Sequence, residues 1–293
     1  MRTAFLITSY VLPDQVLRLA RTLRAGSSDA VIVLHHDDRR SRVDEAALAA
    51  LGVGRIVPPS PAAWGEGSQL DLVLRGLRYV LEHTDAGWVV LLSGQDYPIR
   101  PVAEIERSLA AANCDAFVEA LPVPALGEYA LRYHHRWRPV PEPAWPVARA
   151  AARITGRVQR RRMPSGPWVG VRVRFPAGFV CHRGGDWFTL SRRALESVER
   201  SRRDQPELLE HFRRTLIPTE GYVQTVLAND PSLELSGDTR RFTRWEPRAP
   251  RPAVLTLDDL PAMRASGMDV ARKFDPEIDR AVLDAIDREV HGS

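Results

Sequence analysis

The feature that most constrains this chain is an alternation. Three short apolar runs rich in β-branched residues, "TAFLITSYV" from residue 3, "DAVIVLHHDD" from 29 and "GWVVLLSGQDYPI" from 87, are separated by stretches whose apolar residues recur at helical spacing. Val16, Leu17, Leu19, Ala20 and Leu23 follow Pro13 and stop at Gly26, and Leu70, Leu74, Leu77, Val80 and Leu81 mark a second helix over 68–84. Between them "RIVPPSP" reads as a short strand and turn. Strand, helix, strand is a parallel βαβ unit, so residues 1–120 are expected to form a doubly wound sheet. Such sheets bind ligands beyond the carboxyl ends of their strands, and here that edge carries His35, His36, Asp37 and Asp38. A further buried strand ends there in the tight polar turn Ser-Gly-Gln-Asp, which makes Asp96 a candidate for the site as well as for the turn.

No GxGxxG follows the first strand and no GxxxxGK[ST] occurs, so dinucleotide-binding and P-loop readings lose their usual support. The length of 293 residues suffices for a large α/β core. Cys114 and Cys181 lack the spacing of a metal site and are too few for a disulfide framework, so two thiols in a reducing compartment are expected. No run approaches the ~20 apolar residues that span a bilayer, and "AFLITSYVL" has neither the length nor the cleavage site of a signal peptide. A soluble, cytoplasmic protein is expected.

The net charge of +4 and pI near 9.4 suit a phosphate-bearing ligand, nucleic acid or an anionic membrane. They follow equally from a GC-rich coding bias, since among 41 basic side chains only Lys273 is a lysine. Residues 138–176, with many prolines and eight arginines between 149 and 174, read as a basic, flexible insertion, helical in part at 147–160. It is either a solvated arm or a surface that docks on an anionic acceptor or a membrane. It offers few candidate stacking residues, Trp168 and Phe175 among them, so nucleic acid is not expected as a partner. Regular structure returns with "GDWFTLSRRALESVERS", a strand and helix, with "IPTEGYVQTVLAND", a helix start, and with two helices over 256–266 and 276–290.

Enzymes of sugar nucleotides often hold a divalent cation between an Asp-x-Asp pair and the diphosphate, but the chain contains no Asp-x-Asp. Asp37 and Asp38 are adjacent and on an extended segment would face opposite sides. Any departing diphosphate must then be neutralised by lysine or arginine, and Arg251 and Lys273 flank a segment that could place both on one site. Glu220, in the first turn of a predicted helix after Pro218 and Thr219, is either a capping carboxylate or a general base. No G-x-S-x-G appears, and no nucleophile stands beside His134, His135 or His182.

Taken in order, "TAFLITSYVLPDQVLRLARTL", "VLHHDDRR", "VVLLSGQDYPIRP", "GGDWFTLSRRALESV", "PTEGYVQTVLAND", "RFTRWEP" and "VARKFD" resemble the core-2/I-branching β-1,6-N-acetylglucosaminyltransferase family, which includes peptide O-xylosyltransferases. The resemblance implies a single GT-A-type α/β domain over 1–293, a doubly wound mixed sheet flanked by helices. Its nucleotide-sugar half would be 1–120 and its acceptor and catalytic half 121–293. It implies inverting transfer of GlcNAc, or a related sugar such as xylose, from a UDP-sugar, without a divalent metal or other cofactor. Position by position, Glu220 matches the catalytic base, Arg251 and Lys273 the basic pair at the UDP diphosphate, and Asp37 the strand-end carboxylate on the uridine side. Trp245 and Glu119 match acceptor-side residues, and Asp96 is grouped with them. The loop between Trp245 and Arg251 is shorter than in the animal enzymes, whose paired cysteines are also missing, so a mucin-type acceptor is not carried over. A bacterial-type enzyme acting on a glycan, a lipid-linked saccharide or a small molecule is expected, with peripheral membrane contact open to the basic insertion. The alternative is a non-catalytic module that binds glycans or polyanions on the same fold.

Overall fold

A computed structural model describes residues 2–57, 62–155, 158–249 and 251–291. The chain runs β1 (Thr3–Ser9), α1 (Pro13–Gly26), β2 (Val31–His36), α2 (Glu45–Ala50), β3 (Gly54–Arg55), α3 (Gly67–His83), β4 (Trp88–Ser93), β5 (Asp96–Pro98) and α4 (Val102–Ala110). Next come β6 (Ala116–Phe117), β7 (Leu121–Pro122), α5 (Glu128–Tyr133), β8 (His135–Pro139), α6 (Trp145–Thr155), β9 (Val158–Met163) and β10 (Gly166–Arg172). The last part holds β11 (His182–Arg183), β12 (Thr189–Ser191), α7 (Arg192–Asp204), α8 (Pro206–Arg213), α9 (Tyr222–Ala228), β13 (Leu235–Ser236), β14 (Arg241–Thr243), α10 (Leu260–Ser266), β15 (Val270–Arg272) and α11 (Ala281–Val290).

The expected mixed sheet flanked by helices forms, with strand order β13-β6-β12-β4-β1-β2-β3. Strands β3, β2, β1 and β4 are parallel, as the crossovers through α1 and α3 require, whereas β12 runs antiparallel to β4 and β6. Side chains on a strand alternate between faces, and β1 shows what that does for the core. Phe5 and Ile7 pack on one face with Leu19 and Leu23 of α1, Ile105 of α4 and Ile286 of α11. Ala4 and Leu6 face the other way, against Leu70, Leu74 and Leu77 of α3, Val198 of α7 and Val223 of α9. Gly76 lets α3 approach closely, since a Cβ there would lie 2.7 Å from a Leu6 methyl.

The chain leaves β1 for β2 on one side and reaches β4 on the other, so the strand order reverses between β1 and β4, where an open α/β sheet has its ligand crevice. The Ser-Gly-Gln-Asp turn closes that point: the Gly94 N–H donates to the Thr8 carbonyl at 3.0 Å, and a Cβ on Gly94 would stand 2.8 Å from Ser9 and Val16. The turn is held from above by a small sheet of order β14-β15-β5. Gln95 and Phe274 exchange hydrogen bonds there, at 2.9 and 3.1 Å, which brings the "ARKF" segment onto the switch point.

The basic stretch 138–176 departs from expectation. Instead of an irregular arm it forms α6 and most of a three-stranded antiparallel sheet of order β8-β10-β9. Trp137, Met163, Trp168 and Leu216 make a small core beneath it. Gly170 stands opposite Trp137, where a Cβ would meet the indole at 2.7 Å. The strand "VQRRRM" has no two-residue apolar alternation, so its conformation comes from pairing with β10 and not from its own pattern. The helix expected at 147–160 is α6, residues 156–157 lie outside the described residues, and so do 58–61 of the turn after β3. At the C-terminus the two expected helices start later: a 3-10 turn over Leu257–Asp259 precedes α10, and α11 begins at Ala281. Among the described residues no helix is long and apolar enough to cross a membrane.

Candidate active site

Glu220 does not lie in the first turn of an α-helix. It ends a one-turn 3-10 helix, Pro218–Glu220, which the positive φ of Ile217 (52°) separates from α8, and α9 starts only at Tyr222. The side chain caps nothing. Its Oε2 accepts from Arg132 Nη1 at 2.8 Å, and Arg132 is also bound to Glu128 at 3.0 Å. Burial pushes the Glu220 carboxyl up to about 7, the Asp186 charge adds to this, and Arg132 opposes it. The Asp186 carboxyl is raised too, by burial, and accepts from Thr219 Oγ1 at 2.5 Å. Two neighbouring carboxyl groups resist being charged together, so this pair is poised to hold a proton.

A short segment, residues 182–187, ties Glu220 to the rest of the crevice. Gly184 N–H donates to the Glu220 carbonyl at 2.9 Å, and Gln224 Nε2 donates to the Gly185 carbonyl at 2.7 Å. A Cβ on Gly184 would fall 1.9 Å from the Glu119 carbonyl oxygen, whereas one on Gly185 would meet only Trp187 N at 4.0 Å. Gly184→Ala is therefore expected to destabilise the protein by about 1–3 kcal/mol and Gly185→Ala to be nearly neutral, read from denaturant midpoints. The same contact places Glu119, half-buried just past β6, beside the Glu220 segment.

At its other end the segment carries Trp187, with the guanidinium carbons of Arg272 and Arg241 at 4.5 and 4.9 Å from its ring centroid. Both arginines surround Asp96, at 3.1 Å for Arg272 and 3.6 Å for Arg241. Asp96 is 0% exposed, and its other oxygen accepts from the Ser93 N–H that closes the turn. Direct contact with an acceptor, expected of Asp96 from its place at a strand end, is thus corrected: register opposes it to Arg272, and its carboxylate holds the arginines from beneath. Burial pushes Arg241 down to about 10.

Lys273 follows Arg272 and is half-buried. Burial lowers its ammonium pKa, and the charges of Arg272 and Arg251 lower it further, so the two residues singled out from sequence, Arg251 and Lys273, share one basic cluster with Arg272. Asp275 is the opposing charge acting on it. Asp37 lies past the end of β2, its N–H donating to Ser9 at 2.9 Å. The Arg39 guanidinium at 2.5–2.8 Å holds its carboxyl below the usual range. Asp38, in the turn after β2, pairs separately with Arg55 at 2.7 Å. Trp245, two residues beyond β14, is 58% exposed. Among the described residues no three His, Cys, Asp or Glu side chains form a group that could hold a metal ion.

Arg132, Asp186, Trp187, Arg241 and Arg272 were not among the site residues read from the sequence. The Gly-Gly-Asp-Trp string was visible as a motif, but its two ends serve different parts of the site only once the chain folds. Arg132 sits in α5 with nothing in its spacing to single it out.

The chain is thus an open-sheet α/β protein with a raised carboxyl on one side of its crevice and a basic cluster at the switch point. Residues 3–264 match the Core-2/I-Branching enzyme family model, and the chain belongs to that family. Xylosyltransferase 2 of Pan troglodytes is 25% identical over 309 residues, covering 95% of this chain and 32% of that protein. Xylosyltransferase 1 of Homo sapiens is 30% identical over 205 residues, covering 65% and 18%. The chain therefore spans about a third or less of the length of these relatives. Among solved structures, a nucleotidyl transferase from Methanothermobacter thermautotroptrophicus aligns with 80% of the chain at 11% identity and a TM-score of 0.34, too slight a likeness to bear on the fold.

Proposed function

We propose that the protein is an inverting glycosyltransferase that moves GlcNAc, or a related sugar such as xylose, from a UDP-sugar to a hydroxyl of a glycan, lipid-linked saccharide or small molecule, without a divalent metal. The observation that carries this is the coexistence of two charge systems joined by residues 182–187. One is a carboxyl pushed up to about 7 by burial, and the other a cluster of Arg251, Arg272 and Lys273. Glu220 takes the proton of the acceptor hydroxyl as its oxygen attacks the anomeric carbon. The bond to the diphosphate breaks, its electron pair leaves with UDP, and the basic cluster stabilises the developing charge. Attack opposite an α-linked leaving group yields a β-linked product. Asp37 faces the uridine side, Trp245 and Glu119 the acceptor, and Asp96 acts by fixing Arg272 next to Lys273.

A base with a proton affinity near neutrality is a good acceptor of a hydroxyl proton, and a substantial fraction of it is ionised near neutral pH. The sign of the pH dependence follows. Glu220 works only when ionised, so kcat/KM is expected to fall about tenfold per unit as pH drops below about 7. A profile flat down to pH 5 would overturn the assignment. The function itself is tested by UDP-sugar hydrolysis in excess EDTA, with UDP-GlcNAc and UDP-xylose compared. Turnover of one of them supports the reading, and a strict need for Mn²⁺, or no turnover of any UDP-sugar, overturns it.

A further inference from the structure

One arginine beside Glu220 is left without a counter-ion. Arg183, on β11 opposite Leu121 of β7, lies with its guanidinium carbon 3.9 Å from the centroid of the Tyr129 ring. Its neighbours are neutralised: Arg132 by Glu128 and Glu220, and Arg161 by Glu128 at 3.4 Å. Among the described residues no carboxylate stands within ion-pair distance of Arg183, and its Nε is buried with no hydrogen-bond partner. Arg132, which binds Glu220 at 2.8 Å, stands over the same Tyr129 ring at 5.1 Å, and Gly184, next to Arg183 in the chain, donates to the Glu220 carbonyl at 2.9 Å, so Arg183 stands at the base and not at a remote surface.

A guanidinium resting on an aromatic ring is held by cation–π attraction and loses little further freedom when it binds. Its N–H fork matches a carboxylate or a phosphate and nothing else of comparable strength. An unpaired, part-buried cation also carries an unrecovered desolvation cost, which an incoming anion would offset. Leu121, exposed on the strand paired with Arg183, adds an apolar rim suited to the carbon face of a sugar or aglycone.

We infer that the acceptor carries an oxyanion, a carboxylate or a phosphate, which Arg183 binds on its Tyr129 platform next to the base. The inference rests on the glycosyltransferase reading and assigns the chemical class of its acceptor. Glucose, glucuronate and glucose 6-phosphate share one ring and differ at C6, and they serve as probes by saturation-transfer NMR on the full chain. UDP is kept saturating in EDTA so that the Arg251–Lys273 cluster is occupied. At least one anionic sugar is expected to bind about tenfold or more tightly than glucose, and Arg183→Gln to bring it within about twofold. A preference for glucuronate alone assigns a carboxylate, and one for glucose 6-phosphate alone a phosphate. No preference in the unmodified chain, or a preference that survives Arg183→Gln, overturns the proposal. UDP binding is titrated separately in the unmodified chain and in Arg183→Gln: its absence from both would overturn the functional reading, and equal affinity in the two shows that the variant is folded.

Discussion

Glu220→Gln is expected to lower kcat by about 10²–10⁴-fold while UDP binding in excess EDTA stays within about twofold of the unmodified protein. Glutamine keeps the size of the side chain, and its carbonyl oxygen can still accept from Arg132, so the 3-10 turn and its neighbours have no reason to move. Arg132 also keeps Glu128 as a counter-ion, which avoids stranding a buried charge. What disappears is proton affinity. The measurement is single-turnover transfer, or donor hydrolysis where no acceptor is in hand, alongside calorimetric titration with UDP. Turnover within tenfold of the original would show that another group takes the proton, and Asp186 would then be the first to examine. Loss of UDP binding together with turnover would place Glu220 in the donor site instead.

The second large effect concerns the lone lysine. Lys273→Ala is expected to weaken UDP binding by about 10- to 100-fold, the range of a lost hydrogen bond to a charged group. Its ammonium is destabilised in the free protein by burial and by two guanidinium charges, Arg272 and Arg251. A diphosphate relieves that repulsion, so the cost held in the free protein is recovered on binding. Lys273→Arg is the sharper variant. An ammonium is a compact point charge and a guanidinium a planar fork, and the position is hemmed in by a neighbouring arginine. Impaired UDP binding in Lys273→Arg supports a role for the compact charge. If both variants bind UDP as tightly as the unmodified chain, Lys273 is a surface charge that merely survived a coding bias against lysine.

The parallel core was legible because its patterns are local: continuous apolar runs mark β1, β2 and β4 as strands buried on both faces, and the 3.6-residue spacing of α1 and α3 states which face each helix buries. Residues 138–176 were not legible. Their sheet is stabilised by pairings between strands whose own patterns are weak and by two tryptophans, Trp137 and Trp168, that meet only after folding. Asp96 shows the same limit at a single residue. Its position at the end of a buried strand was plain from the sequence, but its burial was not. The antiparallel pairing of β5 with β15, which sets Asp96 opposite Arg272 from a distant part of the chain, turns a candidate ligand group into an anchor for Arg272.

Residue type and order alone determined the α/β class, the strand ends that carry the site, and the candidacy of Glu220, Arg251 and Lys273, because these depend on local pattern and on motif order. Only the tertiary structure decided what those residues become. Burial beside Asp186 sets the proton affinity of Glu220, and residues 182–187 link it to the arginines around Trp187. Among the described residues Arg183 rests on Tyr129 with no carboxylate paired to it and its Nε without a hydrogen-bond partner. The reason is physical: a side chain's chemical type is written in one residue, whereas its desolvation and its counter-charges are supplied by segments distant in the chain.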